Sequence, residues 1–269
     1  MRSGREKASG CTRRSDLDLK TLKRPFVGLL IGLSGGSFGG LVGVGGGIVM
    51  IPLMTWLAKL TQHQAHGTSL VAIVFVSIVG AGTYFIHGST DWKAAGLLAI
   101  SSIMTARFGA LFAHSLPERK LKKIFGGFVI CMSVLLLSKG LILETGFGLS
   151  PWIKVVTLLA AGAFTGFVVG MMGVGGGAIM VPVLVTLAGM PQHLAQGTSL
   201  LAMAPTSISG AFAHYRLGNV VTDIVLCLAV GSLVGGYLGG TIAHLLPEML
   251  LRVLFAVMLI WIGVRYLRA

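Results

Sequence analysis

Two runs, Gly43-Val44-Gly45-Gly46-Gly47 and Gly173-Val174-Gly175-Gly176-Gly177, each place four glycines in five positions within otherwise apolar sequence. Each glycine costs a helix roughly 1 kcal/mol relative to alanine, so both runs are expected to be unwound. A short apolar segment follows each run, from Ile48 through Pro52 and from Ala178 through Pro182, and its proline suits a first helical turn. A helix that starts after such a run turns free amide N–H groups and a positive dipole end toward the break. That chemistry suits a small anion, and glycine lets the backbone approach it closely. No Lys-Ser/Thr pair follows the glycines, which excludes a Walker-type phosphate loop. Tight helix packing is the other use of glycine in apolar segments, and it accounts for isolated positions such as Gly32, Gly36, Gly96 and Gly162.

The two runs belong to a longer internal repeat. At an offset of 130 residues, Met50 and Pro52 match Met180 and Pro182, and Gln62-His63 matches Gln192-His193. Ala65, Gly67, Thr68, Ser69 and Leu70 match Ala195, Gly197, Thr198, Ser199 and Leu200. His114, Leu116, Pro117 and Glu118 match His244, Leu246, Pro247 and Glu248 without a gap. The chain is a duplication: a basic tail at 1–24, repeat 1 at 25–145, a turn-rich linker at 146–151 and repeat 2 at 152–269.

The elements that carry these residues are apolar. The 269 residues are 54% hydrophobic and 11% charged, against about 25% charged in a soluble domain. Eight Lys/Arg and three acids fall in residues 1–24, leaving thirteen bases and five acids for the other 245. This excludes a soluble globular protein, a disordered chain and a nucleic-acid binder, since the bases form no aromatic-interleaved face. The apolar segments 26–58, 67–87, 93–114 and 121–143 recur as 152–189, 196–215, 220–245 and 249–267. Most match the roughly 20 residues of a spanning helix. The first of each repeat is too long and is read as broken, with its first helix ending at Val42 or Val169. The fold expected is an all-α polytopic membrane protein of two inverted repeats, each a glycine-broken helix pair plus three spanning helices.

Charge supports the inversion through the positive-inside rule. With the basic tail inside, Pro117-Glu118-Arg119-Lys120-Leu121-Lys122-Lys123 falls inside, while its less basic counterpart from Pro247 to Arg252 falls outside. Lys59, Arg216, Arg265 and Arg268 also fall inside, Gly189 lies outside, and both termini are cytoplasmic. Trp92 and Trp152 are placed at the outer interface. Cys11, Cys131 and Cys227 show neither a disulfide framework nor metal spacing, and they read as small apolar fillers.

The motif GVGGG-x-x-M-x-P followed by Ala-x-Gly-Thr-Ser-Leu, present twice, resembles the TauE/SafE family of membrane permeases over nearly all of the chain after residue 25. The resemblance implies a bacterial plasma-membrane transporter, often an exporter, of sulfite or organosulfonates such as sulfoacetate. It makes Gly43, Gly45, Gly46, Gly47, Pro52, Gly173, Gly175, Gly176, Gly177, Pro182 and the triplets 67–69 and 197–199 the core motifs. His66 and Gln196 depart from the small polar residue expected there.

Other residues remain open between two roles. Thr68, Ser69, Thr198 and Ser199 are read as beginning helices, either capping them or donating hydroxyls to an oxyanion. Gln62, Gln192, His63 and His193 read as solvated turn residues. Arg107, the one base well inside an apolar run, either contacts the anion or snorkels to the surface. His66, His87, His114, His214 and His244 sit near span ends, where interfacial polarity accounts for most of them. No acid lies deep in a span, so any proton coupling falls to a histidine or to the substrate. The reading is a secondary transporter of small sulfur oxyanions, not an enzyme, with no metal or cofactor, in which one repeat moves against the other. Its partners are the anion, the lipid bilayer and a second copy in a homodimer, with no nucleic acid. The alternatives are a permease for another small anion or metabolite, or the membrane subunit of a sulfur-relay assembly.

Overall fold

The computed structural model describes residues 25–117, 119, 120, 123, 126, 127, 130, 131, 133, 134 and 151–268. The tail 1–24 with Cys11, the linker before Pro151, much of the 121–143 segment and the loop positions Glu118, Leu121 and Lys122 lie outside them. The helices are α1 (Pro25–Val42), α2 (Gly47–Trp56), α3 (Gln62–Ile86) and α4 (Trp92–Ser115). After further helical residues between 119 and 134 come α5 (Pro151–Met172), α6 (Gly177–Thr186), α7 (Gln192–Arg216), α8 (Thr222–Leu245) and α9 (Glu248–Arg268). No strand occurs among the described residues.

Five of these helices, α1, α3, α4, α5 and α8, are long and apolar enough to cross a membrane. Their outer faces are apolar: Ile86, Met104, Phe108, Leu226 and Leu245 are exposed, which suits lipid rather than water. α7 has the length of its mate α3 but falls below that apolarity, because Gln196, Thr198, Ser199, Thr206, Ser207 and His214 are buried along it. The protein interior, not lipid, receives those groups. Trp92 and Trp152, at the starts of α4 and α5, are exposed at 68% and 79%.

The two short helices double back. A Cβ added at Gly35 would meet Met50, and one at Gly39 would meet Gly45 and Gly46, so α2 runs antiparallel beside α1. Ten residues span about 15 Å, half the hydrocarbon thickness, which makes this segment re-entrant. Gly176 against Thr165 repeats the arrangement in α5 and α6.

Packing between helices crosses from one repeat to the other. Gly28, Gly32, Gly36 and Gly40 lie one turn apart on α1 and fit against Ile224, Leu228, Ser232 and Gly236 of α8. Gly162, Gly166 and Gly170 of α5 fit in the same way against Leu98, Ser102 and Ala106 of α4. Both pairs are parallel and close enough that a single Cβ would strike backbone, the small-xxx-small geometry of membrane helices. α8 also packs on α3, and α4 on α7. Among the described residues, α1–α8 therefore form two halves, α1, α2, α3 with α8 and α5, α6, α7 with α4, and each repeat lends its fourth helix to the other. The halves meet where α3 crosses α7. There Gly80 faces Leu200 and Gly210 faces Leu70, so these repeat mates run in opposite directions.

Several expectations are corrected. α5 continues to Met172, beyond Val169, because Gly170 is held in helix against α4. Pro52 and Pro182 lie inside α2 and α6 rather than in their first turns. The missing proline N–H leaves free only a carbonyl close to each helix start, which a ten-residue helix tolerates. Gly96 faces open space and packs against nothing. Cys131 is exposed and Cys227 half-buried, so neither fills a core.

Candidate functional site

The glycine runs are unwound as expected. Gly43, Gly45, Gly46, Gly173 and Gly175 have φ between 61° and 90°, the left-handed region open to glycine. Gly176 does not, at φ −78°, although its mate Gly46 has φ 81°. The two breaks lie against each other. A Cβ on Gly47 would be 2.6 Å from the Gly173 carbonyl oxygen and 2.5 Å from that of Val174. Gly177 abuts Gly43 and Val44 in return, and Gly175 abuts the Val44 carbonyl. The N-terminal ends of α2 and α6 thus meet in the buried interior, near Ile73 of α3 and Met203 of α7. Neither end carries a side-chain cap. The Gly177 N–H reaches only Met203 Sδ, at 3.0 Å, a weak acceptor.

The Gly-Thr-Ser triplets hold this arrangement by exchange between repeats. Ser69 Oγ donates to the Gly173 carbonyl at 2.5 Å, and Ser199 Oγ to the Gly43 carbonyl at 3.2 Å. Thr198 Oγ1 accepts the Asp91 N–H at 2.9 Å, and Thr68 Oγ1 the Val221 N–H at 3.1 Å. These residues lie in the second turn of α3 and α7 and do not begin those helices. Thr61 caps α3 through Gln64, and Pro191 begins α7 without a side-chain bond. The hydroxyls instead fasten the breaks and the starts of the exchanged helices, α4 and α8.

Gln62 and Gln192 are the first residues of α3 and α7 and are buried at 4% and 0%, not solvated in turns. His63 and His193 follow them within the helices, half-buried. Arg107 lies on the exposed face of α4 beside Met104 and Phe108 and is not brought to the breaks. Among the described residues no Lys, Arg, Asp or Glu is buried. The breaks are surrounded by hydroxyls, amides and imidazoles, so the helix ends provide the field there.

Several residues that complete the site were not legible as such. His66, 2% exposed, packs on Gly173, and its mate Gln196, fully buried, packs on Gly43. Tyr84 Oη lies 3.1 Å from Gln196 Oε1 and 3.2 Å from the Gly40 carbonyl. Its mate His214 is buried rather than interfacial. Its Nδ1 accepts from the Asn219 amide at 3.3 Å, which leaves Nε2–H to donate to the Gly170 carbonyl at 2.8 Å. Spacing along α3 and α7 was the available signal: residues 62, 66, 69, 73, 77, 80 and 84, and their mates, fall on one helical face.

A family model described as sulfite exporter TauE/SafE matches residues 27–266. A probable membrane transporter protein, YunE of Bacillus subtilis, is 28% identical over 257 residues, covering 87% of this chain and 94% of its own. A probable membrane transporter protein of Haemophilus influenzae is 29% identical, covering 88% and 95%. The probable membrane transporter protein MJ0441 of Methanocaldococcus jannaschii is 27% identical, covering 85% and 90%. No solved structure matches the chain significantly.

Proposed function

The chain belongs to the sulfite exporter TauE/SafE family of membrane transporters, and from that premise we propose that it is a secondary exporter of small sulfur-containing anions, such as sulfite or sulfoacetate, across the plasma membrane. The observation that carries this reading is the meeting of two uncapped helix N-termini, α2 and α6, at paired glycine breaks. Their amides and dipoles favour an anion without any buried base, so binding remains weak enough for release. Ser69 and Ser199 support the same polarity. They tie off the Gly43 and Gly173 carbonyls, whose oxygens would otherwise repel an anion.

The opposite directions of α3 and α7 support an inverted topology, and the basic tail and the basic loop at 117–123 support cytoplasmic termini in that reading, in a bacterial inner membrane. The moving bodies in this reading are not the repeats themselves. The backbone contacts of α1 with α8 and of α4 with α5 tie each repeat to its partner, so the halves α1–α2–α3–α8 and α5–α6–α7–α4 rock about the α3–α7 crossing. Rocking parts the breaks and admits the anion between them. The test is flux in proteoliposomes loaded in turn with sulfite, sulfoacetate, thiosulfate and sulfate. Saturable movement of sulfite or sulfoacetate is expected, and movement of none of the four would refute the reading.

A further inference from the structure

Three imidazoles gather at one end of the bundle, where α3 ends, α7 begins and α8 ends. The rings of His87 and His244 stack with centroids 4.0 Å apart and planes at 20°, and His193 lies 5.5 Å from His244 at 18°. His87 Nδ1 donates to the Thr83 carbonyl and His244 Nδ1 to the Gly240 carbonyl, each at 2.8 Å. These bonds place the proton on Nδ1 and leave the Nε2 lone pairs as the basic positions. His244 Nε2 and His193 Nδ1 are buried with no hydrogen-bond partner. The opposite end of the molecule carries the mates His63 and His114, with rings 6.1 Å apart at 62°, but has Leu217 in place of His87.

The stack is joined to the glycine break. The Tyr84 ring lies 4.6 Å from that of His244, the Tyr84 hydroxyl meets Gln196 Oε1, and Gln196 packs on Gly43. Among the described residues, Asp91, Lys93 and Lys154 line a neighbouring cavity at this end. The Asp91 carboxylate accepts from the Lys93 and Ala94 amides that begin α4, and Lys93 lies over the Trp92 ring. Tyr84, His87 and His193 are the titratable side chains shown in ring contact with His244.

We propose that His87, His193 and His244 form a proton-loading site, and that Tyr84 and Gln196 transmit its charge to the Gly43–Gly47 break, coupling proton entry to anion exit. The proton comes from hydronium at the exposed His87 ring and passes to the buried His244 Nε2, one O–H bond breaking as one N–H bond forms and a neutral imidazole becoming imidazolium. The Tyr84 ring beside His244 stabilises one such cation. A second charge 4.0 Å away opposes it, so the stack holds a single proton. In the topology above, α8 ends at the outer surface, and a cation there draws the anion outward from the break.

The inference rests on the export reading, so one arm of its test omits the anion. In protein labelled with 15N-histidine, NMR should show His87, His193 and His244 sharing one proton, which His244→Gln removes. In sulfite-loaded proteoliposomes, external acid should accelerate wild-type efflux. His244→Gln should lower the ratio of acid-driven efflux to sulfite–sulfite exchange at least tenfold. Tyr84→Phe should keep the shared proton and lose the acceleration. Independent titration of the three histidines, or full acid acceleration in His244→Gln, would overturn the proposal. Full acceleration in Tyr84→Phe would overturn the relay through Gln196. A shared proton in protein that moves no sulfite would count against the export reading alone.

Discussion

The duplication supplies its own control for what glycine does at a break. Gly46 and Gly176 are repeat mates, yet Gly46 sits at φ 81° and ψ −7° while Gly176 sits at φ −78° and ψ −15°. Alanine at 46 meets two costs. The left-handed conformation costs a residue with a Cβ about 1–2 kcal/mol. The new methyl also collides with the Gly35 backbone carbonyl, which α1 holds rigidly, and overpacking of this kind adds about 1–3 kcal/mol. Alanine at 176 meets only the second cost, and in milder form. Its methyl lies 2.8 Å from Thr165 Cγ2 and 3.3 Å from Met180 Cε, the latter at the end of a flexible chain. The reduced freedom of the unfolded chain returns about 0.4–1 kcal/mol. With that return applied at both sites, Gly46→Ala should lose about 1–4 kcal/mol and Gly176→Ala no more than about 1 kcal/mol. SDS-driven unfolding in mixed micelles, followed by tryptophan fluorescence, measures the difference. Equal losses, or a greater loss at 176, would refute the assignment of opposite backbone conformations to the two breaks.

Removing the hydroxyls that fasten the breaks should be graded. Ser69→Ala removes one O–H shared between the Gly173 and His66 carbonyls, whereas Ser199→Ala loses the longer bond to Gly43. About 1–3 kcal/mol is expected for Ser69 and less for Ser199, read by the same unfolding assay; the reverse order would count against these bonds. Lys59 is the non-glycine residue with positive φ among the described residues, at 54°, where repeat 2 has Gly189 at 69°. Lys59→Gly should stabilise the protein by about 0.5–1 kcal/mol, the relief of the left-handed strain exceeding the added unfolded-state freedom. Reporters fused after Leu116 and after Leu246 should label opposite sides of the membrane, and labelling on the same side would sink the inverted topology.

What the sequence could and could not convey follows from the kind of interaction involved. The glycine breaks were legible because the cost of glycine to a helix is local and a run of four admits no compensation. The bounds of α1 and the starts of α2 and α6 came within a residue or two on that ground alone. Composition conveyed the membrane in the same way, through a per-residue cost of charge in lipid. Thr68, Ser69, Thr198 and Ser199 were misplaced at helix starts because their partners, Val221, Gly173, Asp91 and Gly43, lie more than a hundred positions away. His66 and His214 were assigned to interfaces for a related reason. Nearness to the end of an apolar run measures depth along a helix and says nothing about which face meets protein. Arg107 was singled out by the same one-dimensional measure and turned out to face outward.

The exchange of α4 and α8 was beyond a reading of spans, but it leaves a trace in the glycines. Gly28, Gly32, Gly36 and Gly40 form a stripe on α1 that demands a close partner. The partner on α8 answers with Ser232 and Gly236, spaced to fit, whereas α3 next in sequence presents Val76 and Tyr84. In repeat 2 the stripe Gly162, Gly166 and Gly170 is answered by Ser102 and Ala106 of α4, again from the other repeat. The contacts Gly32–Leu228, Gly36–Ser232 and Gly40–Gly236 each have a mate at i + 130 and j − 130, as in the isologous interface of a two-fold dimer whose subunits exchange a helix. Each repeat therefore lacks a cover for its own glycine stripe and for the hydroxyl of its own Thr68 or Thr198. The site belongs to both repeats, since Gly43 is held by Ser199 and Gly173 by Ser69, and neither repeat contains a complete set of the residues that build it.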